Sequence, residues 1–196
     1  MIINEIFYSL QGEGYHSGTP AVFVRFSGCN LRCPFCDTQH DAGTAMTEEA
    51  IVDEVANYPA RLVVVTGGEP SLQLTASLVD KLHEVGKYVA VETNGTHALP
   101  GNVDWITLSP KSAYVDGAEV VLTRADEVKV VYDGIHDPSD QLSTINYQLS
   151  TLRFLQPCDT GDACRNARLT AAAVEYVKQH PQWRPSLQIH KILNIQ

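Results

Sequence analysis

Short apolar runs alternate with amphipathic stretches along most of this chain, the pattern of strands exchanging with helices. Residues 2–8 (Ile-Ile-Asn-Glu-Ile-Phe-Tyr) predict a leading strand and 21–27 (Ala-Val-Phe-Val-Arg-Phe-Ser) a second. Thr47 suits an N-cap, and Glu48 and Glu49 in the first turn favour the positive end of a helix that runs to about residue 57 and stops before Pro59. Within 61–66 the run Leu62-Val63-Val64-Val65 is apolar on both faces, as in a buried parallel strand. A helix over 72–85 closed by Gly86, strands over 87–92, 104–108, 127–132 and 152–155, a weak helix over 139–149, a helix over 169–179 and a short closing strand over 187–190 complete the reading. The stretch between Glu92 and Asp104 is too short for a crossover helix.

Six strands after the leader, mostly separated by helices, predict parallel β/α units with right-handed crossovers. A full eight-stranded barrel typically takes about 250 residues. With 196 residues, the expected fold is α/β, an open, partial parallel β/α barrel, as a single domain over 1–196. No repeat, low-complexity tract or long linker interrupts it. The cysteine loop after residue 27, Gly67-Gly68-Glu69-Pro70, Glu92-Thr93-Asn94-Gly95, Ser109-Pro110-Lys111 and Gln156-Pro157-Cys158-Asp159 each follow the C-terminal end of a predicted strand. In parallel β/α architectures those ends face the active site, so the five loops are expected to converge on one cavity.

Composition narrows the partners. Hydrophobic residues at 44% and charged residues at 19% are ordinary for a globular protein. Fourteen basic against 23 acidic residues give a net charge of −9, which repels a phosphate backbone and argues against a nucleic-acid partner. The N-terminus lacks a basic region followed by an apolar run, and no apolar stretch is long enough to span a bilayer; a cytoplasmic, membrane-free protein is expected.

Three of the five cysteines, Cys29, Cys33 and Cys36, fall within eight residues as C-x3-C-x2-C. An odd, clustered set argues for reduced thiols that hold a metal rather than for secreted disulfides. One loop with this spacing can turn three thiolates toward a common point, which suits a 4Fe-4S cluster whose fourth iron stays open for a small molecule bearing an amine and a carboxylate. A structural zinc site on Cys33 and Cys36 completed by Cys29 or His40, or a redox dithiol, is the competing reading. Zinc sites usually bring two separated pairs, and no second C-x2-C occurs. Cys158 and Cys164 form C-x5-C, too few thiols for a second cluster. Gly67 and Gly68 let backbone approach a ligand with no Cβ in the way.

C-x3-C-x2-C after one strand and Gly-Gly-Glu-Pro after the next resemble the radical S-adenosylmethionine (SAM) superfamily. Gln11-Gly12-Glu13-Gly14, Cys36-Asp37-Thr38, Glu92-Thr93-Asn94-Gly95, Ser109-Pro110-Lys111, Gln156-Pro157 and Gln188-Ile189-His190-Lys191 are together similar to the 7-carboxy-7-deazaguanine synthase family within it, over nearly the whole chain. The resemblance implies a 4Fe-4S cluster on Cys29, Cys33 and Cys36 that chelates SAM. One electron from a flavodoxin-like donor then yields methionine and a 5′-deoxyadenosyl radical, so no protein side chain is the radical-forming group. The implied substrate is 6-carboxy-5,6,7,8-tetrahydropterin, which loses a hydrogen atom, contracts its ring and releases ammonia to give the deazapurine used for queuosine-type nucleosides. A homodimer is also implied.

In the family pattern SAM is held by Phe35 and Asp37 of the cysteine loop, by Gly67, Gly68 and Glu69, and by Gly95, Ser109, Pro110 and Lys111. Gln156, Pro157, Cys158 and Asp159 complete that set. Thr38 is a hard oxygen donor suited to Mg2+ that also meets the substrate carboxylate; without the resemblance it is an ordinary loop threonine. Leu10, Gln11, Gly12, Glu13, Arg25, Thr93, His190 and Gln196 are the implied substrate contacts. Arg25 offers a guanidinium fork for a carboxylate, where a surface salt bridge is the plain alternative. A glycyl-radical activase shares the cysteine spacing but needs an open face to admit a peptide, and a non-catalytic zinc-binding module is the third reading.

Overall fold

In a computed structural model, which describes residues 1–142 and 151–196, the chain folds around one open, mostly parallel sheet. Its strands are β1 (Ile2–Leu10), β2 (Pro20–Phe26), β3 (Thr44–Ala45), β4 (Leu62–Gly67), β5 (Tyr88–Thr93), β6 (Trp105–Leu108), β7 (Glu127–Tyr132), β8 (Leu152–Pro157) and β9 (Trp183–Pro185). The spatial order is β3-β1-β2-β4-β5-β6-β7-β8-β9, with β2 through β9 parallel and β1 and β3 added antiparallel at one edge. The helices are α1 (Glu48–Ala56), α2 (Ala76–Glu84), α3 (Ala163–Gln179) and α4 (Ile189–Leu193). This is the partial β/α barrel that the alternation of patterns predicts.

The sheet has two apolar faces with different fates. Val22, Val24 and Phe26 of β2, Val63 and Val65 of β4, and Val89 and Val91 of β5 bury outward against Ile51 and Val55 of α1 and Leu78 and Leu82 of α2. The residues between them, Ala21 and Phe23, Leu62 and Val64, and Ala90, form a second cluster with Phe7 that fills the lower barrel interior. Phe7 and Phe23 stack there with centroids 4.8 Å apart. Further along, the inward stripe turns polar: Arg25 follows Phe23, Thr66 follows Val64, Glu92 follows Ala90, and Glu127 and Lys129 stand on β7. Strand periodicity of two thus builds an apolar floor under a polar chamber in one register.

Helix α1 starts where its cap predicts, with Thr47 Oγ1 accepting from Ala50 N at 3.2 Å. The helix expected over 72–85 begins only at Ala76, because Pro70–Leu72 makes a 3-10 turn capped by Glu69 and Thr75 caps Leu78 N at 3.1 Å. Helix α3 starts at Ala163 rather than near 169, since Asp162 caps Arg165 N at 2.8 Å. The closing strand expected over 187–190 is a correction: Ile189–Leu193 is helical, and Trp183–Pro185 takes the sheet edge beside β8. Of the weak helix over 139–149, Asp140–Leu142 is a 3-10 turn, and 143–150 lies outside the described residues. The stretch between β5 and β6 carries no helix, in keeping with its length. No helix among the described residues is long and apolar enough to cross a membrane.

Candidate active site

The polar half of the inward stripe and the loops above it enclose a cavity of about 370 Å³. Cys29, Cys33, Cys36 and Thr38 line it, with Phe35 and Asp37 of the same loop. So do Gly67, Gly68, Glu69, Ser109, Lys111, Gln156, Pro157, Cys158 and Asp159, and at the other end Leu10, Gln11, Gly12, Glu13, Arg25, Thr93, His190 and Gln196. Two sequence-derived positions lie off its wall. Gly95 turns away from it, its N donating to Thr93 Oγ1 at 3.0 Å and its O accepting from Val121 N at 2.9 Å, with a φ of 80° that suits glycine. Pro110 is buried between Ser109 and Lys111.

The glycine pair does something other than admit a ligand. A Cβ on Gly68 would stand 1.9 Å from Gly28 O, and one on Gly67 2.2 Å from Phe26 O. Gly68 N donates to Phe26 O at 2.8 Å and Glu69 N to Gly28 O at 2.9 Å. The end of β4 therefore grips the root of the cysteine loop by backbone alone, and the glycines make room for that grip. Beyond the root, Leu31 N donates to Cys29 Sγ at 3.4 Å.

Glu69 is 1% exposed and spends its carboxylate on the protein. Oε1 accepts from Thr93 Oγ1 at 2.6 Å and Ser71 N at 3.0 Å, and Oε2 from Asn94 N at 2.8 Å. The Gly-Gly-Glu-Pro and Glu-Thr-Asn-Gly loops are thereby fixed to one another. Lys111 Nζ reaches back to Ser109 O at 2.7 Å and Ser109 Oγ at 2.6 Å. Burial, with the like charge of Lys129 adding to it, pulls that ammonium down to about 8 against the opposing pull of Cys33.

At the opposite end, Gln11 Oε1 accepts from Glu13 N at 3.1 Å while Gln11 Nε2 donates to Glu92 Oε1 at 2.9 Å. Lys129, 5% exposed, pairs with Glu13 Oε2 and lies 3.4 Å from Glu92 Oε2. Burial raises the Glu13 carboxyl, but the Lys129 charge and hydrogen bonds from Lys129, Gln188 and Gln156 outweigh it and hold the group at about 2. Arg25 stays 3.1 Å from Glu5 Oε1, too poorly aligned for a hydrogen bond, with its guanidinium 5.3 Å from the Phe7 ring centroid. Its plain salt-bridge reading and its cavity position therefore coexist. His190 packs on Gly12, where an added Cβ would be 2.1 Å from its Nδ1, and Ile189 N donates to Gly12 O at 3.1 Å.

The last residues close the chamber. Lys191 Nζ donates to Asp37 Oδ2 at 3.0 Å and to Asp159 Oδ2 at 2.6 Å, tying α4 to the cysteine loop and to the end of β8. Gln196 Nε2 reaches Glu5 Oε2 on β1 at 2.7 Å. Sequence reasoning missed Lys129 as a lining residue, and although it brought the Glu92-Thr93-Asn94-Gly95 loop to the cavity it gave Glu92 and Asn94 no contact of their own. For Lys129 the available signal was Glu127 and Lys129 two apart in the otherwise apolar Glu-Val-Lys-Val-Val-Tyr, which puts both charges on one face of a buried strand.

Cys29 and Cys33 are half-buried, Cys36 is exposed, and all are free thiols. Burial pushes the Cys29 and Cys33 thiols up, and each thiol feels the charge of Cys36. Among the described residues no three His, Cys, Asp or Glu side chains are drawn together around one ion. Three free thiols on one cavity wall are the donor set that a multi-iron cluster takes, each thiolate binding its own iron. The donor set therefore fits.

Residues 23–147 match the Radical SAM superfamily. With three cysteines on the first β/α loop of a partial barrel, the chain belongs to that superfamily, whose members use a 4Fe-4S cluster and SAM. It is 56% identical over 193 residues to 7-carboxy-7-deazaguanine synthase of Bacteroides thetaiotaomicron, covering 98% of this chain and 97% of that one. It is 41% identical to the enzyme of the same name from Burkholderia multivorans, covering 98% of each chain. The crystal structure of QueE from Escherichia coli matches with a TM-score of 0.80 at 31% identity, over 95% of this chain and 92% of that one. The protein belongs to the 7-carboxy-7-deazaguanine synthase family. Membership sets aside the non-catalytic zinc module and the glycyl-radical activase.

Proposed function

We propose that this chain, acting as a single radical SAM domain over 1–196 in the cytoplasm, converts 6-carboxy-5,6,7,8-tetrahydropterin to 7-carboxy-7-deazaguanine with release of ammonia. The observation that carries this reading is the union, in one cavity, of the three-cysteine loop with the Gln11–Glu13 and His190 segments. Cys29, Cys33 and Cys36 would hold the 4Fe-4S cluster, which supplies one-electron reductive cleavage of SAM when bound. Ser109, Lys111, Gln156 and the backbone around Gly68 bind SAM beside it. Gln11, Glu13, Thr93 and His190 receive the pterin, and Arg25 its carboxylate, in two parallel hydrogen bonds.

Thr38 lies on the cavity wall next to the cysteine loop, which supports a Mg2+ site shared with the substrate carboxylate. A flavodoxin-like electron donor and a homodimer belong to the same reading on family resemblance. The exposed Ile192 and Leu193, at 71% and 54%, give the dimer an apolar surface. The test is anaerobic reconstitution with iron and sulfide, then mass analysis after reduction with SAM and the pterin, with and without Mg2+. The deazapurine is expected, more of it with Mg2+. Cleavage of SAM with the pterin intact would defeat the substrate assignment, and sedimentation as a monomer would defeat the dimer.

A further inference from the structure

Lys129 is a buried cation with no place in the cysteine chemistry. Its side chain is 6% exposed, and it stands between two carboxylates from different parts of the fold, Glu13 on the β1–β2 connection and Glu92 on β5. A lysine is almost never buried this deeply unless paired. Its surroundings are Glu13, Glu92 and, on its own strand, Glu127, with the like charge of Lys111 beyond. Glu127 is committed elsewhere, accepting from Thr107 Oγ1 and Tyr15 N at 2.8 Å each.

We propose that Lys129 is a positioning residue that fixes the Glu13 and Glu92 carboxylates as a pair of hydrogen-bond acceptors at the deep end of the cavity, and so selects a substrate that presents a donor-rich N–H edge there. The inference rests on the reading of this end as the pterin site. Each carboxylate keeps acceptor capacity after its protein contacts. Glu13 Oε1 takes one bond from Gln188 Nε2 at 2.9 Å, Glu92 Oε1 one from Gln11 Nε2, and each oxygen has two lone pairs. Two carboxylates around one ammonium leave the deep end negative. A ring whose amino and amide N–H groups lie on one side and whose carboxylate lies on the other is therefore oriented, amine inward and carboxylate toward Arg25. Burial pushes the Glu13 carboxyl up, and the Lys129 ammonium, with hydrogen bonds from Gln188 and Gln156, opposes it and keeps the group an acceptor.

The test compares wild type with Lys129→Gln and Lys129→Arg in reconstituted enzyme, measuring KM and kcat for the pterin, and KM for SAM, from about pH 5 to 8. Lys129→Gln is expected to raise the pterin KM about tenfold to a hundredfold at neutral pH, more than it raises the SAM KM. The pterin KM should climb further as pH falls through the newly raised Glu13 pKa, whereas in wild type it is flat. Lys129→Arg should restore most of the affinity and the flat profile. Equal losses in the pterin and SAM KM, or a Lys129→Gln profile as flat as wild type, would overturn the inference. If Lys129→Gln fails to fold, Glu13→Gln/Lys129→Gln removes both partners and tests the same point. It should bind the pterin weakly with no pH dependence, and wild-type affinity there would count against the role. Wild type making no deazapurine at all would defeat the proposed function, and this inference with it.

Discussion

A single methyl group separates a seated cysteine loop from an unseated one. In Gly68→Ala the new Cβ meets Gly28 O at 1.9 Å, and the neighbour is backbone that cannot swing aside. We expect a cost of about 1–3 kcal/mol together with poor iron retention, read by thermal denaturation and by iron content after reconstitution. Gly101→Ala, with open space around it, is the control and should stay within about 0.5 kcal/mol. Glu69→Gln should cost about 1–3 kcal/mol in denaturant unfolding, because an amide NH2 would face the Asn94 N–H or the Thr93 hydroxyl that the carboxylate now accepts from. At this scale the motifs were legible where chemistry concentrates them in sequence, as in the cysteine loop. They were not legible where it is assembled in space. Lys129, Glu13 and Glu92 meet only because β7, the β1–β2 connection and β5 do, and no local pattern joins residues 116 positions apart.

Among the elements, the well-read ones carry their signals at both ends. Helix α1 has Thr47 at its cap, acids in its first turn and Ile51, Val52 and Val55 on one face, so cap and period agree. Helix α3 conceals its start: Ala163, Cys164 and Arg165 are exposed and Asn166 is a half-buried polar residue, and its buried residues begin at Leu169, where the apolar pattern first becomes visible. What begins it is Asp162. Asp162→Ala should therefore lower stability by about 1 kcal/mol, measurable as a fall in melting temperature, and no change would mean that packing of Leu169 and Ala173 on the sheet holds the helix unaided. Leu187-Gln188-Ile189-His190 alternates like a strand yet forms the approach to α4 and its first two residues. The edge beside β8 is already taken by Trp183–Pro185, and Ile189 N is engaged by Gly12 O. Tertiary pairing overrode the local period.

For the molecule as a whole, the buried ion pairs set the pH response. Glu13 has its carboxyl lowered from 4.5 to about 2, so the stability it adds is complete above the ordinary value and is lost as pH falls toward 2. Lys129 is shifted up, so its share is complete below its ordinary value of 10.5 and fades only above it. Metal-free protein should keep a nearly level melting temperature from about pH 5 to 7, below the range in which the depressed Lys111 ammonium titrates, and lose it steeply in acid. Lys129→Gln should blunt the acid limb, and an unchanged limb in that variant would show that other carboxylates govern it.

The cysteine loop is anchored in two physically different ways. Its root is held by backbone hydrogen bonds to Phe26 and Gly28, while Asp37 near its tip is held by Lys191, the two side chains being 59% and 36% exposed. Added salt screens the second and leaves the first intact. In metal-free protein, alkylation of Cys36 should quicken with ionic strength while that of Cys29 keeps pace with nothing but thiol ionisation; parallel acceleration of both would mean the loop moves as one piece. The Asp37 end of the cysteine loop thus answers to the ionic composition of the surrounding solution, independently of how firmly the protein is folded.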